Sequence, residues 1–242
     1  MASDIMTAVR TDDFRIGSVF SRAIGTFARH PLGFSLVAAV SQVGSLWPYA
    51  SGGRHLTPGA ISAIGIVAGA VSILTSAIIS HASFQTMHGQ PVRFGDSLGQ
   101  AVQRFFPALG AMIILGVVST IGFFLLVIPG IMVGVALSVI LPVCVIEELG
   151  PTASAARSRR LTKGSRWKLF GTYLRLFVPF LVIGGLEFLL ARSAGQTVAV
   201  PLNFIVQTIL SAFTTILLTA AYHDLRVARE GLDTNRLAAV FD

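Results

Sequence analysis

Six blocks of about twenty mostly apolar residues, each long enough for a helix to cross ~30 Å of hydrocarbon, alternate along the chain with short polar segments. They fall at about 32-50, 60-82, 107-127, 131-148, 169-191 and 198-222, and they predict transmembrane helices. The first block carries Ser35, Ser41, Gln42 and Ser45, and the second is rich in Gly, Ala and Ser. Such composition suits close helix packing inside a bundle. Between the third and fourth blocks stands only Ile128-Pro129-Gly130-Ile131. Pro and Gly together end a helix and permit a turn, so a tight helical hairpin is expected there.

A second periodicity precedes the blocks. Ile16, Phe20, Ala23, Ile24 and Phe27 share one face of a helix, with Arg15, Arg22 and Arg29 opposite. Phe94, Leu98, Ala101, Val102 and Phe105 repeat the spacing 78 residues later. A third stretch, from about Thr152 to Lys163, precedes the fifth block and ends at Gly164; its apolar face is mostly Ala. The expected fold is therefore an all-α integral membrane protein with six transmembrane helices in three hairpins, each preceded by an interfacial amphipathic helix. Residues 1-31 form a cytoplasmic amphipathic arm, 32-222 the membrane domain and 223-242 a cytoplasmic tail.

Composition agrees with that reading. The 242 residues are 53% hydrophobic and 12% charged, with mean hydropathy +0.76, whereas soluble chains carry ~25% charged residues. The first thirty residues lack the short apolar core and small-residue cleavage site of a secretory signal, so the mature chain is expected to begin near Met1. Fifteen Lys and Arg fall in the N-terminal arm, the second and fourth loops and the tail, and only Arg54 and Arg192 in the alternate loops. Basic residues in short loops stay cytoplasmic, which predicts both termini inside. The net charge of +7 is thus a membrane-surface feature, and no nucleic-acid partner is expected.

Candidate chemistry is sparse. Arg157, Arg159, Arg160 and Lys163, with Arg166 and Lys168, crowd one cytoplasmic loop. They read either as a lipid-phosphate site or as a topology determinant that adheres to anionic headgroups. Glu147, Glu148, Arg175, Asp224 and Arg226 form a candidate structural charge cluster: Arg175 pairs with Glu147, Glu148 or Asp224, or else snorkels to the headgroups. Glu187 and Gln207, deep in the last two spans, fit a proton or solute path or an interhelical hydrogen bond. The five histidines lack metal-ligand spacing, and Cys144 is the only cysteine. No metal, cofactor or catalytic constellation is expected. The partners expected are membrane lipids, anionic ones included, and a protein partner or second copy; the apolar patch at Leu237-Ala238-Ala239-Val240-Phe241 suits docking on the same chain or on such a partner.

Three segments carry a resemblance. They are I-P-G-I at 128-131, E-E-L-G-P-x-x-S-x-A-R-S-R-R-L-T-K-G at 147-164 with W-K-L-F-G at 167-171, and A-Y-H-D-L-R-V-A-R-E-G-L-D at 221-233. Together they resemble bacterial integral membrane proteins related to the membrane domain of glycerophosphoryl diester phosphodiesterases. Arg159 stands where that family often has an aromatic residue. The resemblance implies a bacterial inner-membrane module without the separate catalytic domain, hence no phosphodiesterase activity and no transferable catalytic residues. Small-solute transport is the alternative function.

Overall fold

The computed structural model describes residues 14, 16-46, 57-125 and 127-230, and among these it contains helices and turns but no strand. The helices are α1 (Ile16–Arg29), α2 (Pro31–Gln42) followed by a 3-10 turn (Val43–Leu46), α3 (Pro58–Met87), α4 (Phe94–Gln103), α5 (Phe105–Leu125), α6 (Val127–Leu137), α7 (Ile140–Ile146), α8 (Pro151–Thr162), α9 (Arg166–Ala194) and α10 (Gln196–Glu230). Arg10, Arg15, Arg54, Arg236 and the apolar patch at 237-241 lie outside the described residues.

Five segments are long and apolar enough to cross a membrane: α3, α5, α6 with α7, α9 and α10. A sixth is added if α1 and α2, which meet at an angle of 94°, count as one broken span. This is a multi-pass membrane architecture. The first expected span, 32-50, is represented by the 12-residue α2, about 18 Å long, and its 3-10 extension. Residues 47-50 lie outside the described residues.

Burial is concentrated at one end of the bundle. In α3 the buried residues begin at Thr75 and run to Thr86, and in α10 they run from Thr208 and Ala212 to Leu225. These are the portions against which α1, α2 and α7 pack, and Val19, Phe34, Ile79, Val143, Leu217 and Tyr222 share one core. The opposite ends are apolar yet uncovered. Ile66 is 73% exposed, Phe124 84% and Leu181 63%. Apolar surface on that scale requires a non-aqueous surround.

The turn between the third and fourth blocks differs from expectation. Helix α5 ends at Leu125 and α6 already begins at Val127, so Pro129 and Gly130 lie inside the first helical turn. Proline is tolerated there because its missing N–H would have no intrahelical partner. Gly130 serves close packing instead: a Cβ on it would stand 2.5 Å from the Phe123 nitrogen.

The fourth span is broken. A turn at Ser138-Val139 separates α6 from α7, releasing carbonyls from the helical ladder. The Ala136 carbonyl is taken up by α8, where the Ser158 hydroxyl donates to it at 2.9 Å and the Thr162 hydroxyl at 3.2 Å. The sixth span, expected to end near 222, continues without interruption to Glu230. At 35 residues it is about 52 Å long, so one end projects beyond the hydrocarbon and carries the polar residues described next.

Candidate functional site

The short helices α1, α4 and α8 stand before α2, α5 and α9 and dock in the same way. Each turns two positions four residues apart fully into the bundle: Val19 and Ala23, Ser97 and Ala101, Ser154 and Ser158. Small side chains at i and i+4 share a helix face and let the backbones approach closely. Between them, three residues after the first buried position, comes Arg22, Gln100 or Arg157. Each of the three bonds a carboxylate at the end of another helix.

Arg22 Nε meets Asp224 Oδ1 at 2.9 Å. Asp224 is buried, and it also accepts from the Ser18 hydroxyl at 3.1 Å. Gln100 donates to Glu148 Oε1 at 2.9 Å, while Arg104 pairs with the same carboxylate and donates to the Glu148 carbonyl at 2.8 Å. These bonds hold Glu148 in the left-handed region, φ 56°, which costs a non-glycine residue of order 1–3 kcal/mol. The amide of Gln100, then the charge of Arg104, keep the Glu148 carboxyl below its ordinary pKa.

The third carboxylate system is the most connected. Arg157 grips Glu147 sideways, Nε to Oε2 at 2.8 Å and Nη2 to Oε1 at 3.1 Å, and its Nη2 also bonds Glu230. The Tyr222 hydroxyl donates to Glu147 Oε1 at 2.9 Å; Arg226 donates to that hydroxyl at 3.3 Å and to Glu230 at 3.2 Å. Hydrogen bonding to Glu147 raises the Arg157 pKa against the opposing effect of burial, so it stays a cation. The network ties α7, α8 and α10 together. It is a fixed device whose charges nearly cancel, two arginines against two glutamates.

The expected charge cluster is thereby divided. Glu147 and Arg226 belong to the Arg157 network, Glu148 to Arg104, and Asp224 to Arg22. Arg175 joins none of them, since it lies on the exposed face of α9. The expected headgroup set also splits. Arg157 is paired inward, whereas Arg159, Arg160 and Lys163 lie on the exposed side of α8 with no carboxylate partner among the described residues. Trp167, 70% exposed, stands nearby, as aromatic residues do at membrane interfaces.

Other polar positions lie apart. Asn203 donates to Glu187 Oε2 at 2.8 Å, and Glu187 Oε1 is buried without a partner among the described residues. A cavity of about 280 Å³ lies beside the pair, between α9 and α10. Sequence reasoning missed Tyr222, Gln100, Arg22 and Asn203. Arg22 and Gln100 had a signal, namely a small side chain or valine, a polar residue three further on and a second small side chain next to it, repeated in three helices. Its third copy is hidden by the Ala-rich face of α8.

Comparison with protein-family models, with curated proteins and with solved structures finds no match to this chain.

Proposed function

We propose that this chain is a non-enzymatic protein of a bacterial inner membrane, with both termini in the cytoplasm and a basic cytoplasmic face that binds anionic lipid or anchors a partner. Its six spans form three hairpins, each introduced by an interfacial helix, and the segments at 128-131, 147-171 and 221-233 resemble the membrane domain of glycerophosphoryl diester phosphodiesterases. One observation carries the lipid reading. Arg22, Arg104 and Arg157 are neutralised within the fold, while Arg159, Arg160 and Lys163 remain outward and unpaired with any described carboxylate. Each such cation contributes about 1 kcal/mol of attraction to an anionic leaflet. The exposed apolar edges of the short helices, Ile24 on α1 and Leu98 and Val102 on α4, support an interfacial position for them.

The test is native mass spectrometry of protein extracted from its own membrane, beside an Arg159→Gln, Arg160→Gln, Lys163→Gln variant in which Arg157 is left intact. Retained anionic lipid that the variant loses supports lipid binding. A co-purifying protein lost in the variant supports the scaffold form. Wild type that retains neither contradicts the proposal.

The Glu187–Asn203 pair favours small-solute transport as the second reading, because a carboxylate within a span is costly and is commonly retained for proton or ion movement. Solute flux in vesicles that Glu187→Gln abolishes would establish it.

A further inference from the structure

A groove of about 380 Å³ opens between α5, α6 and α8. Val118, Pro129, Val133 and Ala136 are among its apolar walls, and its charged lining residues are Arg159 and Arg166. No carboxylate lines it, although four glutamates and aspartates serve the networks nearby. The Arg166 Nε is buried and has no hydrogen-bond partner among the described residues. A buried guanidinium N–H left unsatisfied is costly, and the groove's lining offers the Arg166 charge no carboxylate.

The position of the arginines suits a phosphate. Arg166 is the first residue of the α9 span, at the level where a transmembrane segment meets the headgroup layer. Its helix begins at Arg166, and the N-cap Ser165 makes no side-chain cap hydrogen bond. Along α6 the apolar wall from Pro129 to Ala136 runs ~10 Å, comparable with the ~15 Å depth of one leaflet's hydrocarbon.

We infer that this groove binds one anionic phospholipid, its phosphate held by Arg159 and Arg166 and one acyl chain lying along α6 between α5 and α8. The inference rests on the lipid-binding reading and sharpens it. Arg159 and Arg166 form a site, while Arg160 and Lys163 belong to the general surface. Arginine suits the role because its planar fork matches phosphate oxygens.

The full chain in detergent is titrated with dioleoyl phosphatidylglycerol or dioleoyl phosphatidylcholine, and the first bound lipid is counted by native mass spectrometry. Wild type is expected to prefer phosphatidylglycerol. R159Q/R166Q lowers that preference roughly tenfold or more, R160Q/K163Q changes it less than about twofold, and R159K/R166K, which keeps the charge without the planar fork, retains only part of it. V118W, which fills the groove from a partly exposed position on α5, abolishes the first binding event with both arginines in place and keeps the test open should R159Q/R166Q fail to fold. Equal losses in R159Q/R166Q and R160Q/K163Q overturn the site while leaving the lipid-binding reading standing. No preference in wild type overturns both. Displacement of lipid by excess inorganic phosphate, with V118W binding lipid normally, assigns the arginines to free phosphate and overturns the lipid site.

Discussion

Replacing Arg157 by Gln removes the cation shared by Glu147 and Glu230, and the structure bounds the cost. The three side chains are 26%, 15% and 23% exposed, between the exposed pairs that contribute 0–1 kcal/mol and the buried pairs whose breakage costs 3–5 kcal/mol. Glu147 keeps the Tyr222 hydroxyl and Glu230 keeps Arg226, so the loss falls short of the upper limit. We expect about 2–3 kcal/mol, which in a chain of this size lowers the unfolding midpoint by roughly 5–10 °C. Arg159→Gln, two residues away and outward, removes the same charge and should stay within about 0.5 kcal/mol of wild type. Thermal unfolding in detergent, run as a double-mutant cycle of Arg157→Gln with Glu147→Gln, should give a coupling energy of about 1.5 kcal/mol or more. If Arg157→Gln proved no more costly than Arg159→Gln, the inward network would not be a stabilising element and Arg157 would return to the headgroup set.

Further expectations follow from the same geometry. Gly130→Ala places a Cβ against the α5 backbone and should sharply reduce folded yield by gel filtration, whereas Gly116→Ala, with open space around it, should be neutral or slightly stabilising. Ser158→Ala should cost ~1 kcal/mol because Thr162 still serves the Ala136 carbonyl; the Ser158→Ala, Thr162→Ala pair should cost more than the sum of the single changes, since it leaves a buried acceptor unpaired. The Glu148 carboxyl has a folded pKa below its unfolded value, so its contribution is present above about pH 4.5 and disappears as the pH falls through the lower folded value. Unfolding midpoints between pH 6 and 3 should therefore fall more steeply for wild type than for Glu148→Gln, and parallel curves would refute that assignment.

Much of the helical inventory was legible from local pattern. The blocks at 60-82, 107-127 and 169-191 appear as α3, α5 and α9, each with a few residues of difference at its ends, because a bilayer-length apolar run leaves the backbone only one way to satisfy itself. The amphipathic stretches at 16-27 and 94-105 and the third at 152-163 appear as α1, α4 and α8. What was not legible depends on partners distant in sequence. Pro129-Gly130 reads as a turn locally, but it lies within α6 because Gly130 meets the Gly122-Phe123 backbone. The break at Ser138-Val139 coincides with Pro142, which has no N–H to return to the Ser138 carbonyl, but the hydroxyls that make it tolerable come from α8 and leave no local trace. The end of α10 reads as a polar tail because its charges are compensated by Arg22 on α1 and Arg157 on α8, both remote in sequence. The sequence leaves Arg175 either paired with Glu147, Glu148 or Asp224 or snorkelling, and its exposed position on α9 sets aside the pairing among the described residues.

A basic cytoplasmic face requires that the end of the bundle carrying the three docked helices face the cytoplasm. With buried Cys144 replaced by Ser, single cysteines introduced as Lys163→Cys after α8 and as Ser193→Cys at the end of α9 are treated with a membrane-impermeant thiol reagent in intact cells and again after lysis. We expect the residue-193 variant to label in intact cells and the residue-163 variant only after lysis. The reverse pattern would contradict the orientation and the placement of the basic face, and labelling of both in intact cells would remove the membrane barrier between the two ends of α9.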